Sequence, residues 1–481
     1  MMRINNYSWV SIYFSSLALI ATFGVNFTLG RITYTGYFIN CNLARMFLVF
    51  SAIFMALNYG YYLFLIPISL LSYVIPPEFI SPLIFLISLT TLKNARGLKT
   101  IFLIADSLGI TYLIFYIFHI YVNYLVLPLI LIQDGFTPII IPLMFLGIIY
   151  GLGRKIKYDA LRIPWYFPFI IVLLIVMLPL TPLNIFHYPE TVDWRFYYQW
   201  LIKPELGWFF YSRPLYLSLL FALSKLVNAL TLSQLEMIPL SILYLFSAYN
   251  LGNSLQKGLG PLSALMAAVS PSLLTFLYSG LDSNLFSISL FFLSLSYLIN
   301  GKLKTSIALS YVALLSHVYA WAQLEGGVIL YIIAERVIFH DVKKTYLDYV
   351  KYTSPMFVIG IALILTGILP VPFGDSFNNI YSQLSILSWG TANAFLYYAI
   401  SIYGLDGTHK LIYSLYVTSI LAIIPLSVVQ NLIIDIPFFI PAAIGISKLK
   451  NVGRSILLFF IIWGLYMSLN SFPYIYKGVS I

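Results

Sequence analysis

The stretch Phe169-Ile-Ile-Val-Leu-Leu-Ile-Val-Met-Leu178 decides the fold. Ten apolar residues follow one another with no polar position between them. A strand of a membrane barrel alternates apolar and polar residues. An unbroken run of this kind reads as a helix, which satisfies its own backbone polar groups in lipid. The flanks agree: the basic stretch Arg154–Arg162 lies before it, and Pro179, Pro182 and the polar Asn184 follow.

The same pattern repeats along the chain, from a run near 8–30 to one near 455–475. Of 481 residues, 61% are hydrophobic and 9% charged. A soluble domain carries about 25% charged residues. The mean hydropathy of +0.93 points the same way. At ~20 residues per span, these hydrophobic residues supply about 14 crossings. The expected fold is therefore all-α, a polytopic transmembrane bundle of about 14 to 17 spans. Such a composition excludes a cytosolic enzyme, a secreted domain and a single-anchor receptor. Trp9 to Leu29 reads as a first membrane helix, not a removable leader. The lone Cys41 leaves no internal disulfide and no multi-cysteine metal site.

Twenty-six basic and 16 acidic residues give a formal charge of +10. In a chain this apolar the excess points to cytoplasmic loops, not to nucleic acid. Lys93–Lys99, Arg154–Arg162, Arg336–Lys351 and Lys448–Arg454 are placed in the cytoplasm, with Lys302 and Lys304 as a weaker fifth turn. The N-terminus is then cytoplasmic in a multi-pass protein of the cell membrane, and the loop 184–213 lies outside. Asp282 lies outside as well. Three apolar runs separate Arg213 from Asp282, although only an even number can cross. The run 259–279, with Ser270-Pro271-Ser272 in its middle, is expected to be broken there. The segment 337–353 reads as an amphipathic surface connector.

The segment His187–Trp200 is the most informative in the chain. Glu190, Asp193 and Arg195 fall within six positions, and five aromatics run from Trp194 to Trp200. Trp194, Tyr197 and Tyr198 share a helical face, which suits a short helix on the bilayer surface. A second short piece, Leu206–Tyr211, leads to Arg213-Pro214. Glu190 and Asp193, three apart, can present two carboxylates to a divalent cation, or one can act as a base. They can equally cap and solubilise a helix start. Asp282 can cap the helix it opens. His317, in Leu-Ser-His-Val-Tyr, can bond to Ser316 or serve a site on the outer face. Arg195 and Arg213 can clamp a phosphate or pair with the nearby acids. Glu325 needs a partner, for which His317, Arg213 and Lys225 are available. Asp106, Glu236 and Asp435 are scattered and receive no role.

This order of a span, an acidic and aromatic external loop, then Arg213-Pro214 and a further span resembles the GT-C superfamily of integral-membrane glycosyltransferases. That superfamily includes protein mannosyltransferases and oligosaccharyltransferases. The stretches SALMAAVSPSLLTFLYSGLDSNLF (263–286) and LSYVALLSHVYAWAQL (309–324) continue the likeness, which covers about 164–336. Asp193 and Tyr197 match an Asp-x-x-x-Tyr frame, with Trp194 where the family often has Glu. The resemblance implies a polyprenyl-phosphate-linked sugar donor in the membrane lipid and transfer on the extracytoplasmic face. By it Asp193 is the catalytic base or metal ligand with Glu190 in reserve. Arg195, Arg213, His317 and Asp282 would serve the donor phosphate or the acceptor. Mg or Mn is the cation Asp193 and Glu190 would hold, if one is used. The chain then divides into an N-terminal bundle of unknown role (1–163), the glycosyltransferase-like module (164–336) and a C-terminal bundle (337–481).

No phosphate-binding Gly-x-x-x-x-Gly-Lys motif, no His-Glu-x-x-His and no Gly-x-Ser-x-Gly elbow is present. Two other readings stay open: a carrier for lipid-linked saccharides or another solute, and a non-catalytic membrane subunit of the same build.

Overall fold

The computed structural model describes residues 7–29, 32–37, 39–58, 60–89, 96–134, 136, 140–151, 158–183, 194–339, 343–369, 394–419 and 433–470. Among the described residues the fold is all-helical apart from one small antiparallel hairpin, Val25–Leu29 paired with Ile32–Tyr37. That hairpin corrects the reading of Trp9–Leu29 as one helix. The first helix, α1 (Tyr7–Phe23), stops where Gly24 takes a left-handed φ of 70°, a conformation that glycine adopts without strain.

The described chain forms two compact units. One comprises 1–143 with 393–396; the other comprises 144–392 with 397–481. In the first unit, α1 packs on α2 (Cys41–Asn58) and α3 (Pro77–Leu89). Ala18, Leu48, Ala52, Met55 and Ile84 form its core. Serines bond across these helices: Ser11 Oγ lies 3.2 Å from Ser51 Oγ, and Ser15 Oγ lies 2.7 Å from Ser88 Oγ. Small residues and interhelical hydroxyls hold helices together in lipid, where the hydrophobic effect between them is weak.

The second unit contains α4 (Phe167–Met177), then two short helices, α5 (Trp194–Ile202) and α6 (Trp208–Tyr211), and α7 (Pro214–Leu223). There follow α8 (Met237–Leu255), α9 (Gly260–Ala268), α10 (Pro271–Ser279), α11 (Asp282–Ile299), α12 (Leu303–Ser316), α13 (Val318–Ala334) and α14 (Lys344–Leu365). The last four are α15 (Phe395–Gly404, which belongs to this unit from Tyr397 on), α16 (Lys410–Thr418), α17 (Phe439–Lys448) and α18 (Lys450–Asn470). The α11 helix is its axis and is buried over nearly its whole length. Its serines bond to neighbours: Ser287 Oγ to Ala313 O at 2.8 Å, Ser294 Oγ to Ser306 O at 2.7 Å, and Ser296 Oγ with Ser254 Oγ at 2.7 Å. Where α15 meets α17, a Cβ on Gly404 would strike the Pro441 carbonyl and one on Gly445 the Ile400 carbonyl. The two backbones therefore touch, as small residues permit.

Among the described residues five helices are long and apolar enough to cross a membrane, or six if the bent pair α9–α10 counts as one span. This is a multi-pass architecture by length and composition, with fewer long helices than the 14 to 17 crossings expected. Much of the remaining apolar sequence forms helices of 10–17 residues, among them Pro77–Leu89 and Pro214–Leu223. The break expected at Pro271 is present. α9 and α10 meet at a bend of 46°. Pro271 has no N–H to give the Ala267 carbonyl, which accepts Ser270 N (3.2 Å) and Ser270 Oγ (2.8 Å) instead. Ser270 then caps α10 by accepting from Leu273 N at 3.0 Å.

Basic stretches gather at one end of the second unit. Leu161 N donates to Ser447 Oγ at 3.2 Å, Lys448 pairs with Asp406, and Lys410 pairs with Glu335 at 2.8 Å. His317 stands at the other end of α13 from Glu335, 17 helical residues away, or about 25 Å.

Candidate functional site

At the His317 end of this unit the short helices α5 and α6 fold over the starts of α7, α11 and α13. The sequence anticipates two short helices in this loop, and both are present. Glu190 and Asp193 lie outside the described residues, as does the Arg195 side chain. The aromatic face predicted to meet lipid turns the other way at its centre. Tyr197 is buried, with its ring edge-on to Phe209 and Tyr216, while Phe196 and Ile202 are exposed.

Tyr197 is one anchor of a polar cluster. Its hydroxyl lies 2.8 Å from Ser283 Oγ and receives Ser283 N and Arg213 Nη1, each at 3.4 Å. Either hydroxyl can donate in the bond between Tyr197 and Ser283. Arg213 is held in place by its neighbours in sequence. Pro214 forces it out of helical geometry, and it becomes the N-cap of α7 with φ −150°. Ser212 before it ties this corner to α13 by accepting Val318 N at 3.0 Å. The Arg213 side chain stacks over Phe209 at 4.1 Å and donates from Nε to Ser212 Oγ at 3.2 Å. No carboxylate comes within ion-pair distance of it among the described residues. A guanidinium has five N–H donors in a planar fork, and two are engaged here.

Asp282 follows directly in this chain of contacts. The structure corrects its expected capping role. Leu281 is the N-cap of α11, without a side-chain cap bond, and Asp282 is the first helical residue. Its carboxyl lies within hydrogen-bonding reach of the Glu236 carboxyl, at the junction where α8 begins. Glu236 also accepts from the Tyr216 hydroxyl at 2.6 Å. Both acids are almost wholly buried. Two charged carboxylates so placed repel, and a proton or a cation between them removes the repulsion.

His317 caps α13. Its Nδ1 accepts Ala320 N at 3.2 Å, so that nitrogen carries no proton and the ring donates only from Nε2. The ring also lies near the Arg213 guanidinium, and Ser287 of α11 reaches the His317 carbonyl at 3.4 Å. Arg213, Asp282 and His317, picked from distant parts of the sequence, thus share one neighbourhood through Tyr197, Ser283 and Ser287. Glu325 does not belong to it. Its partners are Tyr349 and Thr353 of α14, and not His317, Arg213 or Lys225. Lys225 instead sits over the Phe221 ring at 4.1 Å.

Sequence reasoning missed Glu236, Tyr216 and Ser283. A lone acid between two apolar runs was the available signal for Glu236; nothing in the sequence marks the tyrosine or the serine. Among the described residues no three His, Cys, Asp or Glu side chains converge as a metal site. Compared with known proteins, the chain matches no family model, no curated protein and no solved structure.

Proposed function

We propose that this chain is a membrane glycosyltransferase that moves a sugar from a polyprenyl-phosphate-linked donor to an acceptor on the extracytoplasmic face. The observation that carries the reading is Arg213. It is a partly buried guanidinium, fixed by Phe209, Tyr197 and Ser212, with donors to spare and no carboxylate paired to it among the described residues. Such a group suits a phosphate, and it stands at the end of the loop that holds Asp193. The gathering of basic stretches away from this site fits an extracytoplasmic placement.

In this reading Asp193 takes the proton from the acceptor hydroxyl as its oxygen bonds to the anomeric carbon. The bond from that carbon to the phosphate oxygen breaks in the same inverting step, and the lipid phosphate leaves as an anion. Arg213 stabilises the charge that grows on it, with Arg195 and His317 as further donors. Glu190 is the reserve base. A divalent cation, where one is used, belongs with Asp193 and Glu190. The buried Asp282–Glu236 pair borders the acceptor side.

Arg213→Ala is expected to lower sugar transfer by about 100-fold, and Arg213→Lys by less, since the charge stays while the fork is lost. Transfer of radiolabelled sugar in reconstituted vesicles measures this. Unchanged transfer in Arg213→Ala removes the support for the reading. A carrier is the second reading, favoured by the broken helix at Pro271 and the buried acids of α8 and α11. Solute uptake without transfer would select it.

A further inference from the structure

We propose that the edge of the second unit where α12 and α14 begin side by side is a contact surface for anionic phospholipid. In sequence α13 runs back between these two helices, and the Tyr331 ring near its end lies 5.3 Å from the Tyr346 ring near the start of α14. Both α12 and α14 therefore start at the same end of the unit. They are also level. Tyr311 and Tyr352, each eight residues past the first residue of its helix, meet where the Tyr311 hydroxyl donates to the Tyr352 carbonyl at 2.6 Å. Five lysines gather at this edge: Lys302 and Lys304 at the entry to α12, and Lys343, Lys344 and Lys351 at the entry and first turns of α14. All five are exposed, and none is in an ion pair among the described residues. Asp348 is the one described acid on these same turns. Glu335 and Asp406, at the same end, are buried and answered by Lys410 and Lys448.

Lysines alone suit any polyanion; the residues below them select a lipid. Leu347 lies one turn before Lys351 on α14, and Val358 and Ile359 lie two turns after it, on the same face. They are 39%, 63% and 49% exposed. On α12, Ala308 and Leu315 continue the exposed face that begins at Lys304. Tyr352, exposed beside Lys351, is of a type that membrane interfaces favour. An acidic protein or a nucleic acid has no use for such an apolar stripe, whereas the acyl chains of a phospholipid cover it. Lysine stems lie along apolar surface and carry their ammonium groups to the depth of the lipid phosphates. A zwitterionic headgroup has no net charge to offer five unpaired ammonium groups. An anionic surface attracts each nearby lysine by about five-fold. Leaflets that face the cytoplasm are the anionic ones, and the basic stretches of this unit point to that side. This surface does not depend on the transferase reading.

The test reconstitutes the full chain in nanodiscs that mix phosphatidylcholine with phosphatidylglycerol. Native mass spectrometry then counts the phospholipids that stay on each chain. Phosphatidylglycerol is expected to be enriched at least about five-fold over its share of the nanodisc, and the enrichment to fall in high salt. Replacing Lys302, Lys304, Lys343, Lys344 and Lys351 together by Gln should abolish it. Lys450→Gln with Arg454→Gln, which removes two exposed charges at the start of α18, should leave it in place. Should the five-lysine variant fail to fold, Lys343→Gln with Lys344→Gln is expected to lower the enrichment several-fold and decides the matter. Four results overturn the proposal: equal retention of the two lipids by the wild type, full enrichment in the lysine variants, loss of enrichment only in the Lys450 and Arg454 variant, or displacement of the lipid by free glycerol phosphate or by polyglutamate at matched charge.

Discussion

Two buried glutamates of the second unit sit in opposite circumstances. Glu325 on α13 is wholly buried and fully answered. Thr353 donates to one carboxyl oxygen and Tyr349 to the other at 3.0 Å, and the Tyr349 hydroxyl also meets Ser310, which receives the Trp321 indole at 2.8 Å. Glu236 receives one donor, Tyr216, and on its other oxygen meets no donor among the described residues. What stands beside it is a second carboxyl, Asp282. A satisfied network fixes packing, whereas a frustrated one is kept where chemistry needs it. Glu325 therefore reads as structural, and the Glu236–Asp282 pair as part of the site.

The largest difference should come from Glu325→Ala. It strands the Tyr349 and Thr353 hydroxyls in the core and leaves a cavity, a loss of about 3 kcal/mol. Thermal unfolding in nanodiscs measures it, and transfer per folded molecule should not change. If stability holds and transfer falls, the two glutamates have been assigned the wrong way round. Glu236→Gln should do the opposite. Its amide oxygen keeps the Tyr216 bond and the repulsion from Asp282 goes, so stability changes by less than about 1 kcal/mol. Transfer should nevertheless drop several-fold. A smaller effect is expected of Tyr197→Phe, which removes one hydroxyl shared by Ser283 and Arg213, worth about 1 kcal/mol. There the Michaelis constant for the donor should rise while the rate at saturation holds, because Arg213 is loosened but still present.

The same contrast explains what the sequence disclosed. Pro271 announced its break because a missing N–H is a local fact, and Arg213-Pro214 announced a helix start for the same reason. The all-helical class followed from unbroken apolar runs such as Phe169–Leu178. The number of long helices did not follow. Composition counts apolar residues but not where helices stop, and among the described residues several apolar runs, such as Pro77–Leu89 and Pro214–Leu223, form helices shorter than a full crossing. Side-chain direction was also hidden. Helical spacing grouped Tyr197 with Trp194 and Tyr198, but only packing shows Tyr197 turned inward. Partnerships over long separations were the least legible: Glu325 found its donors on α14 and Glu236 found Asp282, in each case through tertiary folding that no local pattern encodes. Asp193 and Glu190, on which the catalytic reading turns, lie outside the described residues.

Asp193→Asn therefore tests the account most directly. The substitution keeps the shape and removes the charge. Wild type and variant are reconstituted in matched amounts with a polyprenyl-phosphate-linked sugar, and the labelled product is counted. The account predicts transfer by the wild type and a loss of at least about 100-fold in the variant, with both proteins equally folded in the membrane. Equal transfer by the two would contradict the role of Asp193, and no transfer by the wild type from any such donor would contradict the enzyme itself.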